Sequence, residues 1–299
     1  MKKVKASVMN AIHDLPLLVA RDEGFFRDQG LDVEIVKTPG SGQRDSDHQA
    51  LRANVFDRTM EALYDQGACD QFRMCEWGVM KRAVESNVAA GHRPAKIVAL
   101  GSAMSSFAIV AAPKSRIYEP EQLKDRPIAV SPFNGSHFTT LKLLEGFLQR
   151  EQIKTTFAGT MKERLEAVAK GEVAAASLME PWISIAEKRG LRVLIESHST
   201  RSEAAGDELD GPTLAKMFRA EAAAADAIEK NPERYARYLI DEAGGLLEVK
   251  DLKLERILNA PPEPYTRERF DRTYQWTLGW GLVPPGATYE NTVDNRAWQ

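Results

Sequence analysis

The sequence predicts an α/β protein built as two similar lobes. Two segments share one pattern, in which a helix-like stretch runs into a glycine, a short apolar strand follows, and a glutamate stands nine residues after the glycine. These segments extend from Gly67 to Glu76 and from Gly171 to Glu180. Both glutamates are expected at the carboxyl ends of strands, where open α/β sheets bind ligands. The repeat therefore indicates a functional site between two similar lobes.

Length and composition support a folded protein with two domains. The chain has 299 residues, of which 43% are apolar and 28% are charged, as is typical of soluble globular proteins. A net charge of −3 and a pI near 6.1 leave no basic surplus, so we expect no nucleic-acid partner. No stretch approaches the roughly 20 apolar residues of a membrane span.

The amino terminus leaves the localisation open between two alternatives. It begins with basic residues but lacks the apolar run of a secretion signal. If Met1 is the native start, the expected location is the cytoplasm. If an upstream signal peptide was removed, the expected location is the periplasm.

The first half of the chain alternates strand and helix patterns. A strand over residues 5–11, an amphipathic helix over 15–30 and a strand over 31–38 form the opening βαβ unit. The pattern continues with helices over residues 45–65 and 76–92 and strands over 68–74, 96–103 and 107–113.

The same unit restarts near residue 119. A short helix precedes a strand at Pro127–Ser131, which is followed by a polar glycine-containing loop and a long helix. Helix, strand, helix and strand then repeat up to about residue 197, and the remainder from about Gly206 is rich in helix. This second βαβ series predicts the second lobe.

The two cysteines do not indicate a disulfide or a metal site. Cys69 and Cys75 are predicted to share one strand face with Arg73, and six extended residues span about 20 Å, beyond disulfide reach. His48, His92 and His198 lack metal-ligand spacing. We therefore expect no metal and no cofactor.

Several segments resemble one family. LPLLVARDEGFFRDQGLDVEIV looks like the first lobe of nitrate/sulfonate/taurine-type substrate-binding proteins, a family that also includes thiamin-pyrimidine synthase. EQLKDRPIAVSPFNGSH and AVAKGEVAAASLMEPWISIAEKRG look like the second lobe. The resemblance covers roughly residues 5–200.

This resemblance implies the type II periplasmic-binding-protein fold, with two Rossmann-like lobes and a ligand cleft between them. The expected lobes are residues 1–108 with 207–299, and residues 109–206. Hinges are expected near residues 103–112 and 200–212. The resemblance further implies a small anionic ligand and an ABC permease as partner.

Two enzymes of the family differ from this chain at reactive positions. The aryl sulfinate desulfinase has a nucleophilic cysteine where this chain has Ala11. Thiamin-pyrimidine synthase has a cofactor-binding lysine where this chain has Arg73, and its cysteine-rich run is absent here. Neither activity is expected.

Candidate ligand residues of the first lobe follow its first strand. Asn10, His13 and Asp14 lie where the family places ligand contacts. A histidine near an aspartate can shuttle a proton or clamp a ligand by a hydrogen bond. Alternatively, His13 and Asp14 cap the next helix, with Asp14 as its N-cap.

The loop Ser131–His137 is the corresponding candidate in the second lobe. Hydroxyls and backbone N–H groups at a helix start favour a carboxylate, sulfonate or phosphate. Alternatively, the loop only makes a turn and caps the helix. The candidate ligand residues of the loop are Ser131, Asn134, Gly135, Ser136 and His137.

The repeated glutamates and their tryptophans complete the candidate site. Glu76 and Glu180 can accept hydrogen bonds from a ligand, act as general acid or base, pair with arginines or cap the following helices. Trp77 and Trp182 are candidates for an aromatic slot. Arg73, inside an apolar strand, needs a partner, which is a ligand carboxylate, Glu76 or an aspartate.

Two functions follow from these candidates. The leading one is the binding of a small carboxylate or sulfonate in the interlobe cleft, as in ABC-transporter substrate-binding proteins. The alternative is a cytoplasmic lyase or hydrolase, such as a decarboxylase of an aromatic or heteroaromatic acid. In that case Ser136 would hold the carboxylate, Arg73 would orient the substrate, and His13 or Glu76 would deliver the proton.

Overall fold

The computed structural model describes residues 1–37, 60–85 and 92–299, which form two compact units. Unit 1 contains residues 1–104, 200–231 and 259–299, and unit 2 contains residues 105–199 and 232–258. The main difference from the expected lobes lies at residues 232–258, which pack within unit 2 rather than with the first lobe.

Strands and helices alternate along most of the described chain. The strands are β1 (Lys2–Val8), β2 (Leu31–Lys37), β3 (Gln71–Cys75), β4 (Lys96–Ala111), β5 (Pro127–Val130), β6 (Lys154–Phe157), β7 (Ala175–Leu178), β8 (Arg192–Ala205) and β9 (Leu258–Asn259). The helices are α1 (Ala11–Asp22), α2 (Phe25–Asp28), α3 (Met60–Asp65), α4 (Glu76–Glu85), α5 (Gly135–Leu144), α6 (Met161–Lys170), α7 (Trp182–Lys188), α8 (Gly211–Lys230), α9 (Pro232–Ala243), α10 (Arg267–Gly279) and α11 (Tyr289–Thr292).

The sheet of unit 1 has the order β2-β1-β3-β8-β4. Strand β1 runs parallel to β2 and to β3, whereas β3 and β8 are antiparallel. The pairing of β3 with β8 places Arg73 opposite Glu203 and Cys75 opposite Arg201. Because side chains alternate along a strand, these four side chains lie on one face of the sheet.

The sheet of unit 2 has the order β4-β7-β5-β6. Strand β5 is parallel to β6 and to β7, and β7 is antiparallel to β4. Thus β7 in unit 2 has the same type of neighbours as β3 in unit 1, one parallel and one antiparallel.

The glycine-to-glutamate repeat corresponds to a repeated structure. Gly67 follows α3 with a φ of 72°, and Gly171 follows α6 with a φ of 79°. This left-handed conformation favours glycine at a helix end. In each case the strand begins four residues after the glycine, and it ends one residue before Glu76 in unit 1 and two residues before Glu180 in unit 2. The sequence prediction of one architecture used twice is confirmed.

The first helix begins earlier than its apolar pattern predicts. Helix α1 starts at Ala11 because the Asn10 side chain accepts a hydrogen bond from the backbone N–H of His13. The prediction of Asp14 as the N-cap is therefore wrong. The helical pattern also breaks at Gly24, whose φ is 87°, before α2 begins.

Two further predictions need correction. Residues 96–103 and 107–113 do not form separate strands, because β4 runs without interruption from Lys96 to Ala111. Cys69 lies before β3 and so does not share its face, although both cysteines are unpaired, as expected. Of the helix predicted over residues 45–65, only residues 60–65 lie in the described range, where they form α3. His48 lies outside the described residues.

Aromatic and aliphatic side chains form the core of unit 1. Tyr64, Phe72, Met80, Ile97 and Tyr265 are among its buried members. Within the described ranges, no helix combines the length and apolar character needed to cross a bilayer.

Candidate functional site

The carboxyl ends of β1 and β3 lie at the same edge of the unit 1 sheet, because these strands are parallel neighbours. Asn10 and His13 follow β1, and Glu76 follows β3 directly. Strand β1 lies between β2 and β3, so the chain connects it to a neighbour on each side. In α/β sheets, ligands bind at the carboxyl ends of the strands beside such a switch point. The described residues of this edge are therefore the first candidate for a binding site.

The segment after β1 is organised by two side chains that accept backbone hydrogen bonds. Besides the cap formed by Asn10, Oδ2 of Asp14 accepts from the N–H groups of Met9 at 2.8 Å and Asn10 at 3.3 Å. Asp14 itself departs from helical geometry, with φ −128° and ψ 15°. Its carboxylate consequently turns back toward the end of β1 instead of following the helix.

A cage of three carboxylates surrounds Arg73. Its Nε atom lies 2.6 Å from Oε1 of Glu203, and its Nη2 atom lies 2.8 Å from Oε1 of Glu221. The third carboxylate, Oδ1 of Asp14, lies 3.6 Å from Nη1. Every one of these side chains is at most 2% exposed. Arg73 therefore has partners within the chain, which include an aspartate but not Glu76.

Neighbouring polar groups satisfy the outer oxygens of the cage. Gln71 donates to Oε2 of Glu203 at 2.6 Å, and the Ser102 hydroxyl donates to Oε2 of Glu221 at 3.0 Å. Burial raises the pKa values of Asp14 and Glu203, although the charge of Arg73 opposes both shifts. Burial thus acts against the charged forms of Asp14 and Glu203, and the guanidinium of Arg73 counteracts this effect.

Arg201 is a second buried guanidinium, but no carboxylate of a described residue is bound to it. The side chain lies opposite Cys75, and the residue is 2% exposed. Within the described part of the chain it makes no hydrogen bond or ion pair, and its Nε atom is buried without a partner. Burial lowers the pKa of Arg201, partly offset by the charges of Asp14 and Glu203.

The imidazole of His13 is also buried without hydrogen-bond partners among the described residues. Both ring nitrogens lack a partner, and the residue is 2% exposed. Burial and, to a smaller degree, the charge of Arg201 lower its pKa well below the ordinary value. At neutral pH the ring is therefore uncharged, with one nitrogen able to donate and the other able to accept.

Glu76 has protein partners that hold its carboxylate. Arg269 binds it with two hydrogen bonds, Nε to Oε2 at 2.9 Å and Nη2 to Oε1 at 3.1 Å, and the Tyr265 hydroxyl also donates to it. Trp77 packs against Trp276, with ring centroids 6.0 Å apart. This is the arginine pairing that the sequence allowed as the alternative to ligand binding.

The loop Ser131–His137 is held by hydrogen bonds of its own. The hydroxyl of Ser136 accepts from the N–H of Ser131 at 3.0 Å, and Nδ1 of His137 accepts from the N–H of Phe133 at 3.2 Å. The Asn134 side chain accepts from the N–H of Gly135 at the start of α5. Burial lowers the pKa of His137. These contacts agree with the turn-and-cap alternative for this loop.

Glu180 occupies in unit 2 the position of Glu76 in unit 1. It accepts from the N–H of Ser184 at 3.2 Å, from its hydroxyl at 3.0 Å, and from Nη1 of Arg256 at 3.2 Å. Burial raises its pKa despite these bonds. Trp182, half-buried, begins α7. Both repeated glutamates are thus bound by an arginine of their own unit.

Sequence reasoning missed three members of the unit 1 cluster: Arg201, Glu203 and Glu221. A signal for two of them was present, because Arg201 and Glu203 are two residues apart in a strand and must share a face. A buried strand face with two opposite charges indicates a polar site. Glu221 lies within a long alanine-rich helix, and nothing in the local pattern distinguishes it.

A surface groove of about 510 Å³ in unit 2 does not coincide with these residues. It is lined by Pro127 and Ala174, at the amino ends of β5 and β7, and by Lys114, Arg126 and Lys170. Ligands of α/β sheets bind at the opposite, carboxyl ends of the strands. None of the predicted site residues lines the groove.

Residues 12–53 match the family model described as NMT1/THI5 like. No curated protein matches the sequence significantly. Solved structures with the same fold include the periplasmic nitrate-binding protein NrtA of Synechocystis PCC 6803, with 14% identity and a TM-score of 0.74 over 100% of this chain and 87% of that one.

Two sulfonate-binding proteins are also similar in structure. The periplasmic aliphatic sulphonate-binding protein SsuA of Escherichia coli is 17% identical, with a TM-score of 0.70 and complete coverage of both chains. The alkanesulfonate-binding protein SsuA of Xanthomonas axonopodis pv. citri, bound to MOPS, is 15% identical, with a TM-score of 0.70 over 95% of each chain. Residues 12–53 therefore resemble the NMT1/THI5-like family, and the chain as a whole shares its fold with these periplasmic nitrate- and sulfonate-binding proteins.

Proposed function

We propose that this protein binds a small organic anion, a carboxylate or a sulfonate, as the substrate-binding component of an ABC importer. The observation that carries the proposal is the buried guanidinium of Arg201, which has no hydrogen bond or ion pair with any described residue.

The energetics of burial favour an external partner for Arg201. Removing a charged group from water costs several kcal/mol unless an opposite charge and hydrogen bonds compensate for it. Arg73, on the same sheet face, receives this compensation from Glu203 and Glu221. An anionic ligand would supply it to Arg201 through charge-assisted hydrogen bonds.

His13 extends the same site without adding charge. Its neutral ring offers a donor and an acceptor in a dry environment, where hydrogen bonds are strong. Asp14 adds an oxygen, Oδ1, that accepts no hydrogen bond from the described residues. An anion that also has a polar hydrogen would satisfy Arg201 with its oxygens and Asp14 or His13 with its hydrogen.

The similar structures support this class of ligand. NrtA is named for nitrate and both SsuA proteins for sulfonates, and all of these ligands are anions. A periplasmic location and a permease partner belong to the same proposal, as does the interlobe position of the ligand. The proposed contacts keep the residues predicted from sequence, with Arg201 added: Asn10, His13, Asp14, Arg73, Glu76, Trp77, Ser131, Asn134, Gly135, Ser136, His137, Glu180 and Trp182.

A ligand screen with a matched arginine pair tests the proposal. Thermal shift would identify hits among small carboxylates and sulfonates, and calorimetry would measure their affinity. Arg201→Gln should weaken binding by at least about tenfold, the effect of losing a hydrogen bond to a charged group. Arg219→Gln, which changes an exposed arginine of α8, should leave affinity unchanged. Equal affinity of wild type and Arg201→Gln would contradict the proposal.

The alternative of a decarboxylase is favoured by one observation: burial raises the pKa of Asp14, which lies beside the uncharged His13. Such groups could deliver a proton to a carbanion-like carbon. Mass spectrometry of each ligand after prolonged incubation distinguishes the two functions. An unchanged mass supports binding, whereas loss of carbon dioxide that His13→Ala abolishes supports the enzyme.

A further inference from the structure

Unit 2 contains a buried arginine that forms no ion pair with the carboxylates of the described residues. Arg164, on the buried face of α6, is 4% exposed, and its Nη1 atom donates to the carbonyl oxygen of Ser177 at 2.8 Å. Its Nε atom is buried without a partner, and no described carboxylate forms an ion pair with it. Burial lowers the pKa of Arg164 to about 10, partly offset by Glu163, so the group remains a cation at neutral pH.

Arg164 contacts the part of its sheet where ligands are expected. Ser177 is the penultimate residue of β7, near the carboxyl end of that strand. The chain leaves β5 for β6 on one side and later returns to β7 on the other side, so the carboxyl ends of β5 and β7 border the switch point of this sheet. Arg164 therefore donates to the strand end beside that switch point.

The internal repeat allows the surroundings of Arg164 to be compared with those of Arg73. Ser177 stands three residues before Glu180, as Arg73 stands three residues before Glu76. On β3 the guanidinium belongs to the strand residue Arg73 itself, whereas at the equivalent position of β7 the guanidinium of Arg164 comes from α6 and donates to the main-chain oxygen of Ser177. Three carboxylates surround Arg73, whereas the acceptor bound by Arg164 is a neutral carbonyl oxygen. Buried charges are normally paired, and no described carboxylate forms an ion pair with Arg164, so a bound anion is a candidate for its counter-charge.

We propose that Arg164 is an anion-binding residue of unit 2, which takes a small oxyanion, a carboxylate or a sulfonate, through its Nε–H group. The inference rests on the proposed function for the class of ligand, but its observations are independent of Arg201 and of unit 1. Arg164 is a further candidate ligand residue of unit 2, in addition to the loop Ser131–His137 and Glu180.

Arginine side-chain NMR tests the inference directly. The protein would be labelled with ¹⁵N-arginine and titrated with sodium methanesulfonate at constant ionic strength, and the Nε–Hε resonances would be followed. Arg164→Lys and Arg201→Lys assign two of these resonances by their disappearance. The Arg164 proton should shift downfield and saturate when its Nε–H donates to the sulfonate.

Arg256 serves as an internal control. Its Nε atom already donates to Glu196 at 3.0 Å, so its resonance should change little. A chemical-shift change of the Arg201 resonance without a change of the Arg164 resonance would overturn the inference and leave the proposed function intact. A change of the Arg164 resonance alone would support the inference and contradict the role of Arg201. If neither resonance changes, both proposals are overturned.

Affinity supplies a second, independent measurement. Arg164→Gln should weaken methanesulfonate binding by roughly tenfold to a hundredfold, the range for a lost hydrogen bond to a charged group. The matched control is Arg189→Gln, which changes an exposed arginine of unit 2 that pairs with Glu166. Circular dichroism would verify that both variants are folded. If Arg164→Gln unfolds, the NMR titration of the wild-type protein still decides the question.

Discussion

Arg73 and Glu203 face each other across the antiparallel strands β3 and β8, with Nε of Arg73 2.6 Å from Oε1 of Glu203. One residue pair further along these strands, Cys75 faces Arg201 on the same sheet side. The first guanidinium is fully paired, whereas the second makes no bond to a described residue. Substitution of Arg73 is therefore expected to destabilise the protein, whereas substitution of Arg201 is not.

Arg73→Met should destabilise the protein strongly. The substitution leaves Glu203, Glu221 and Asp14 buried near one another without their shared cation, and breaking a buried ion pair typically costs about 3 to 5 kcal/mol. Denaturant unfolding at pH 7 would measure the loss. The control is Arg219→Met on the exposed face of α8, which should change the free energy of unfolding by less than about 0.5 kcal/mol. A loss at Arg73 as small as at Arg219 would contradict the buried cage.

Arg201→Met should leave the unliganded protein at least as stable as the wild type. The wild-type residue is a desolvated charge without a compensating bond from any described residue, and replacing such a group with an apolar one of similar shape is neutral or stabilising. The same unfolding experiment would show this. Stabilisation by added anion should disappear in the variant. A large destabilisation would indicate an internal partner for Arg201.

The stability should depend on pH through His13. Burial keeps the pKa of His13 well below its ordinary value, while the unfolded chain has a pKa near 6.5. The unfolded state therefore binds a proton first as pH falls, and the free energy of unfolding should decrease below about pH 6.5, by up to about 1.4 kcal/mol per pH unit.

Comparison with His13→Gln isolates this contribution. The difference in unfolding free energy between wild type and variant should shrink as the pH is lowered from 7 to 5. His198→Gln, at an exposed position of β8, is the matched control and should preserve the wild-type profile. Parallel pH profiles of wild type and His13→Gln would show that His13 is not held neutral.

Asn10 allows its capping role to be separated from ligand binding. Asn10→Ala removes the acceptor for the N–H of His13 and should cost about 1 kcal/mol. Asn10→Asp keeps that acceptor and should retain the stability of the wild type, but its negative charge should weaken the binding of an anion. Unfolding curves and methanesulfonate affinities of both variants test this. Equal affinity of wild type and Asn10→Asp would place Asn10 outside the site.

The sequence predicted the architecture well because the features that define it are local. Gly67 and Gly171 end helices, apolar strands follow, and βαβ order determines which strands are parallel. The helix start at Ala11 was missed because Asn10 and Asp14 both have the chemistry of a cap, and only the backbone geometry decides between them.

The site was harder to predict because its charges come from distant positions. Glu203 and Glu221 lie 130 and 148 residues after Arg73 along the chain. A single sequence shows that Arg73 needs a carboxylate but does not show which one. The same limit applies to Glu76, whose partners Tyr265 and Arg269 lie 189 and 193 residues away. Pairing of strands and helices determines these contacts, and local periodicity does not contain that information.

The discontinuity of unit 2 has a consequence for biosynthesis. Glu180 emerges from the ribosome 76 residues before Arg256, the arginine that binds it. Residues 200–231, which belong to unit 1, are translated in between. The second unit is therefore incomplete until both units are nearly synthesised, and a fragment that ends at residue 199 would leave Glu180 without its arginine.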